Sequence, residues 1–194
     1  MIYKNAKKFA KYGGIVAVFF EWLALVLFFL SQPSAFTGNL PISYFATLAQ
    51  TRIIFASFYV IAAFSFWIFA NHYLSRHYRT PIKIFALSMI GFAAMALAPF
   101  DPNNSLSNAL HTLFSHSSFL LFLLGMYLMA VKNEDKRFRY ITLAATTLSA
   151  VLIVLFRLAP EDSNLILPFE AGAWFICQLG IIWVSLIVYK KSAN

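Results

Sequence analysis

Residues 107–131 read SNALHTLFSHSSFLLFLLGMYLMAV, and the run Leu120-Leu121-Phe122-Leu123-Leu124 inside them decides the fold. A membrane-spanning β-strand would alternate apolar and polar residues, and this run does not. A helix needs about 20 apolar residues to cross ~30 Å of hydrocarbon, and the stretch has that length. Lipid offers the backbone no outside partner, so a helix is the structure that satisfies it. Five similar runs flank it, and together they predict spans over Tyr12–Ser31, Arg52–Tyr73, Ile82–Phe100, Ser107–Val131, Phe138–Arg157 and Pro168–Tyr189. The expected fold is all-α, a polytopic six-helix bundle forming one integral membrane domain over residues 1–194.

Composition agrees. The chain is 61% hydrophobic with 22 phenylalanines, and only 11% of its residues are charged, against about 25% in a soluble domain. A domain of this size buries only about 70% of the surface its unfolded chain exposes. That is too little to hide so much apolar side chain from water. A soluble globular domain and a disordered chain are therefore excluded, and a single cysteine excludes a disulfide framework or a CxxC metal knuckle.

The net charge of +8 is topological. Lys4, Lys7, Lys8 and Lys11, then Arg76, Arg79 and Lys83, then Lys132, Lys136, Arg137 and Arg139, and finally Lys190 and Lys191 all fall on one side of the predicted spans. Only Arg52 and Arg157 fall on the other. Basic residues in short loops mark the inside, so both termini are expected at the cytoplasmic face of the membrane. Membrane lipid is the expected partner. Nucleic acid is not, because no basic soluble face interleaved with aromatics exists. The first run is too long for a signal peptide and is expected to remain as a span. Residues Gln32 to Thr51, with Pro33, Gly38 and Pro41, are expected to lie outside as a small cap, and no internal repeat is visible.

Ionisable residues at membrane depth face the bundle interior or a wet cavity. Glu21 shares a helical face with Gly14, Ala17 and Ala24, while Phe19, Leu23 and Leu30 lie opposite, so it is expected to point inward. It can serve as a structural carboxyl or as a functional one. In the fourth span Ser107, Asn108, His111, Thr112, Ser115, His116 and Ser118 project onto one half of the helix. Five residues separate the two histidines, about 140° around the axis and 7 Å along it. That is not the i, i+4 spacing by which one helix gives two ligands to a metal. Asp101, between Pro99 and Pro102, caps a turn or stands at the mouth of this polar half. Arg157 and Glu170 can pair across the fifth and sixth spans, with Arg52, Glu161 and Asp162 at the same level. His72 and His77 look interfacial and are assigned no role. The polar groups thus gather in the outer half, which predicts an outward-opening pocket.

Six spans, Pro41-Ile42-Ser43-Tyr44-Phe45 ahead of the second, and Pro99-Phe100-Asp101-Pro102 followed by Leu110-His111 resemble the bacterial and archaeal "domain of unknown function 998" membrane proteins. In layout the chain is also distantly similar to eukaryotic six-span proteins of the fibroblast-growth-factor-receptor-activating type. The resemblance covers nearly the whole chain. It implies the six-helix fold and a bacterial cytoplasmic membrane, and it points at Ser43, Asp101 and His111 as matching positions. It implies no activity.

Two functions follow as expectations. The first is a pocket that binds or handles a lipid or other amphiphile, with Arg52 and Arg157 on an anionic headgroup and Glu21, Ser115, His116 and Glu170 around it. The alternative is an intramembrane hydrolase acting on lipid at the outer leaflet. There Asp101, His111 and His116 would hold one divalent metal, zinc for example, that makes hydroxide from water, with Ser43 or Ser115 hydrogen-bonded to the ligands. A Ser43–His111–Asp101 triad is a variant without a nucleophile elbow. Haem ligation fails on histidine placement. Proton-coupled transport rests on Glu21 alone, without the broken helices of inverted repeats.

Overall fold

The computed structural model describes residues 12–33, 44, 48–72, 76–98, 103–160, 164–166, 168–173, 175, 176, 178, 179 and 182. Five helices are complete: α1 (Gly13–Ser31), α2 (Ala49–His72), α3 (Arg76–Met95), α4 (Ser105–Val131) and α5 (Lys136–Leu158). Helical backbone returns at 168–173 and in the described residues beyond it, and no strand occurs among the described residues. Among the described residues, four segments are long and apolar enough to cross a membrane: Gly13–Ser31, Thr51–Asn71, Ser105–Val131 and Lys136–Leu158.

The expected third span, Ile82–Phe100, is not among these four, and its residues up to Met95 belong to a helix with other bounds. Its helix starts six residues earlier, at Arg76, and ends at Met95, followed by a turn through Ala98. Arg76, Arg79 and Lys83 thus occupy the first two turns of α3, which shortens its apolar part.

Each helix packs on its neighbour in sequence, most extensively α3 on both α2 and α4. The C-terminal helical residues close the ring. Ser149 Oγ of α5 donates to the Ala173 carbonyl at 3.4 Å, and Phe175 meets Trp22 of α1 edge-on at 5.7 Å. An aromatic ladder runs through the core from Phe28 to Phe55, Tyr59, Phe92 and Phe119, linking α1, α2, α3 and α4 at centroid spacings of 4.6–5.7 Å. Offset and edge-on pairs of this kind add about 0.5–1.5 kcal/mol beyond the area they bury.

Small residues set the closest approaches. A Cβ at Gly125 of α4 would lie 2.7 Å from the Phe85 ring of α3, and one at Gly91 of α3 would overlap Ser118 Oγ of α4. Beside them, Ser88 Oγ donates to the Ser118 carbonyl at 2.8 Å. Such small-residue seams and interhelical hydroxyl bonds are how helices associate in lipid, where apolar burial supplies no drive. The outside of the bundle is correspondingly apolar, with Phe19, Leu30, Ile53, Phe64, Leu97 and Leu120 all exposed. Polar groups inside and apolar groups outside suit a hydrocarbon solvent.

The α4–α5 turn is held by side chains, although Asn133 Nδ2 is buried there without a hydrogen-bond partner among the described residues. Asp135 Oδ1 accepts from the backbone of Arg137 and Phe138, and the Arg139 guanidinium donates twice to the Asn133 carbonyl. Burial, and then the nearby Glu134 carboxylate, hold the Tyr78 phenol above its ordinary ionisation range.

Candidate functional site

Glu21 is fully buried, on the same face of α1 as Gly14, Ala17 and Ala24, as its helical position predicts. Its Oε2 accepts from Gln178 Nε2. Glu21 Oε1 and Gln178 Oε1, both buried, have no hydrogen-bond partner among the described residues. Tyr59 of α2, also buried, lies within electrostatic reach of both Glu21 and Glu170. Glu170 is buried too, within reach of Arg157 at the end of α5. The interior thus holds Gln178, Glu21, Tyr59 and Glu170 as buried polar groups, with the exposed Arg157 within electrostatic reach of Glu170. Sequence reasoning supplied Glu21, Glu170 and Arg157 but not Gln178 or Tyr59. The one signal for Gln178 is that no other carboxamide interrupts the last apolar run.

The two histidines of α4 are separated as their spacing predicts. His111 is buried and its Nδ1 lies 3.0 Å from the Ala98 carbonyl just beyond α3. A carbonyl only accepts, so Nδ1 carries a proton, and the ring also meets the Met95 carbonyl. Ser115 and Ser118 continue the same buried stripe one and two turns on.

His116 and Thr112 stand on an exposed part of the helix, so the polar half read from the sequence is not wholly interior. His116 Nδ1 is 2.7 Å from the Thr112 carbonyl and 3.3 Å from Arg157 Nη2. One nitrogen cannot donate to the carbonyl and accept from the guanidinium at once. The tautomer decides between them: with its proton on Nδ1 the ring donates to the Thr112 carbonyl, and with it on Nε2 the ring accepts from the Arg157 guanidinium. Arg157 is exposed, its guanidinium 5.1 Å from the Phe156 ring centroid.

Arg52 stands half-buried in the first turn of α2. Ser43, Asp101, Glu161 and Asp162 lie outside the described residues, and the Ser43–His111–Asp101 grouping lies outside them too. Among the described residues, no three His, Cys, Asp or Glu side chains come together as a metal site. Comparison of the chain with family models, with curated proteins and with solved structures found no match in any of the three.

Proposed function

We propose that the chain crosses the membrane six times, with both termini at the cytoplasmic face, and holds the anionic headgroup of a lipid or other amphiphile in its outer half. Arg157 and His116 contact the headgroup in this reading, Arg52 flanks it, and Ser115, Glu170 and Glu21 belong to the wall behind. The observation that carries the reading is the pairing of Arg157 with His116. Two nitrogen-bearing side chains from adjacent helices meet at 3.3 Å, both exposed, on the end of the bundle where the sequence places few other cations. A guanidinium offers a planar fork of donors suited to phosphate or carboxylate. The test is native mass spectrometry of the purified chain with anionic lipid. Arg157→Gln and His116→Ala are expected to lose bound lipid; retention of the wild-type amount by both would overturn the reading.

A second reading is a metal-dependent hydrolase built on Asp101, His111 and His116. What favours it is the His111 Nδ1 contact to the Ala98 carbonyl, since metal-ligating histidines characteristically donate their other ring N–H to such an acceptor. Elemental analysis decides it. Zinc or another divalent metal at one per chain, lost on His111→Ala, supports the hydrolase; metal-free, fully helical protein removes it.

A further inference from the structure

We propose a second lipid site at the opposite, basic end of the bundle, where the groove between α2 and α3 binds one anionic phospholipid, its acyl chain in the groove and its phosphate on Lys83. The groove has a volume of about 470 Å³, inside the ~300–1,000 Å³ range of small-molecule sites. Val60, Phe64 and Trp67 of α2 form one wall and Leu87 and Ile90 of α3 the other, over a floor of Ala63 and Ala86. The walls are exposed and the floor is buried, so the slot opens sideways to lipid.

Charge decides which lipid. Lys83 lies one helical turn from Ala86 and Leu87, and its Nζ sits 4.8 Å from the ring centroid of Trp67, a wall residue. The ammonium is thereby held at the end of the slot. Arg79, one turn further toward the same end, shares the face of Lys83 by i, i+4 spacing. Neither α2 nor α3 contains an Asp or Glu. The acids of this end, Glu134 and Asp135, belong to the α4–α5 turn. Asp135 is committed there to backbone N–H groups, and Glu134 lies near Tyr78. An apolar slot of about 10 Å from Lys83 to Ile90, at 1.5 Å per residue, with a cation and an indole at one end, matches an acyl chain joined to an anionic phosphate. A zwitterionic lipid would bring its own cation to the same place.

The test uses the full chain in detergent, carrying Arg157→Gln so that the other proposed site is removed, titrated with phosphatidylglycerol or phosphatidylcholine and read by native mass spectrometry. Phosphatidylglycerol is expected to bind in preference to phosphatidylcholine. Lys83→Gln is expected to reduce that preference about fivefold, which is what ~1 kcal/mol per basic group near an anionic surface amounts to, and Lys83→Arg to keep it. Ala86→Phe, filling the floor, is expected to abolish binding of both lipids, with circular dichroism confirming an unchanged helical content. Equal binding of the two lipids, or an undiminished preference in Lys83→Gln, overturns the proposal. So does a dimer that Ala86→Phe dissociates, because the groove then houses a second copy of the chain.

Discussion

Gln178 donates to Glu21 across 157 positions of sequence, and each partner keeps one buried carbonyl or carboxyl oxygen without a donor among the described residues. An acid hydrogen on Glu21 supplies a donor to such a pair, and so does a second carboxamide. Glu21→Gln is therefore expected to fold with near-wild-type stability. Gln178→Ala and Glu21→Ala each strand a buried polar group, at about 1–3 kcal/mol. Replacing both by leucine removes the need for partners and is expected to cost less than either alanine change, since removing both members of a buried pair is often nearly neutral. Unfolding in mixed detergent micelles, followed by circular dichroism, measures all four.

The glycine contacts rank three further variants. At Gly13 an added Cβ would lie 2.5 Å from the Ser65 carbonyl oxygen, which moves only if α2 moves. At Gly125 it meets the Phe85 ring, which is itself locked against Phe66 and Phe122. At Gly91 it meets only Ser118 Oγ, a rotor that can turn away. Overpacking costs about 1–3 kcal/mol, while Gly to Ala gains up to ~1 kcal/mol of helix propensity. Gly13→Ala and Gly125→Ala are expected to destabilise, and Gly91→Ala to be close to neutral once Ser118→Ala is added. Thermal melting in detergent gives the order.

Much of this was legible from periodicity. The inward face of α1 follows from Glu21 standing among Gly14, Ala17 and Ala24, and the buried stripe of α4 from His111, Ser115 and Ser118. The helical wheel failed at Thr112 and His116, because a wheel shows which residues share a side but not how wide the neighbour is. α3 packs so closely against Gly125 and Ser118 that it covers only a narrow stripe. Tyr59 and Gln178 were invisible for another reason. A phenol among many aromatics and a carboxamide in an apolar run carry no charge pattern, and their partners come from distant helices. The start of α3 was misread because basic residues count against a span, although they extend a helix well.

Tyr78 supplies a pH dependence with a definite sign. Its phenol is held above its ordinary value of 10.0, first by burial and then by Glu134. The native state thus keeps the proton more tightly than the unfolded chain does. The stabilisation is complete below about pH 10 and is lost as pH rises through the native value. Tyr78→Phe is expected to flatten the alkaline fall in stability, and Glu134→Gln to bring the native ionisation partway back. Melting midpoints between neutral and strongly alkaline pH, wild type against each variant, read both effects.

His111 can be tested so that its structural and chemical roles separate. Its Nδ1 donates to the Ala98 carbonyl, and the ring also meets the Met95 carbonyl at the C-terminal end of α3. The Met95 carbonyl also accepts from the Ala98 backbone N–H at 3.2 Å, so the bond to the ring matters most at the Ala98 carbonyl. His111→Ala is expected to cost about 1–3 kcal/mol through the lost bond. His111→Asn retains a short amide donor and is expected to recover much of that stability, without a ring nitrogen to offer a metal. If the lipid-binding reading holds, His111→Asn keeps both its fold and its bound lipid. If the hydrolase reading holds, the same folded variant has lost its metal, as elemental analysis of the purified protein will show.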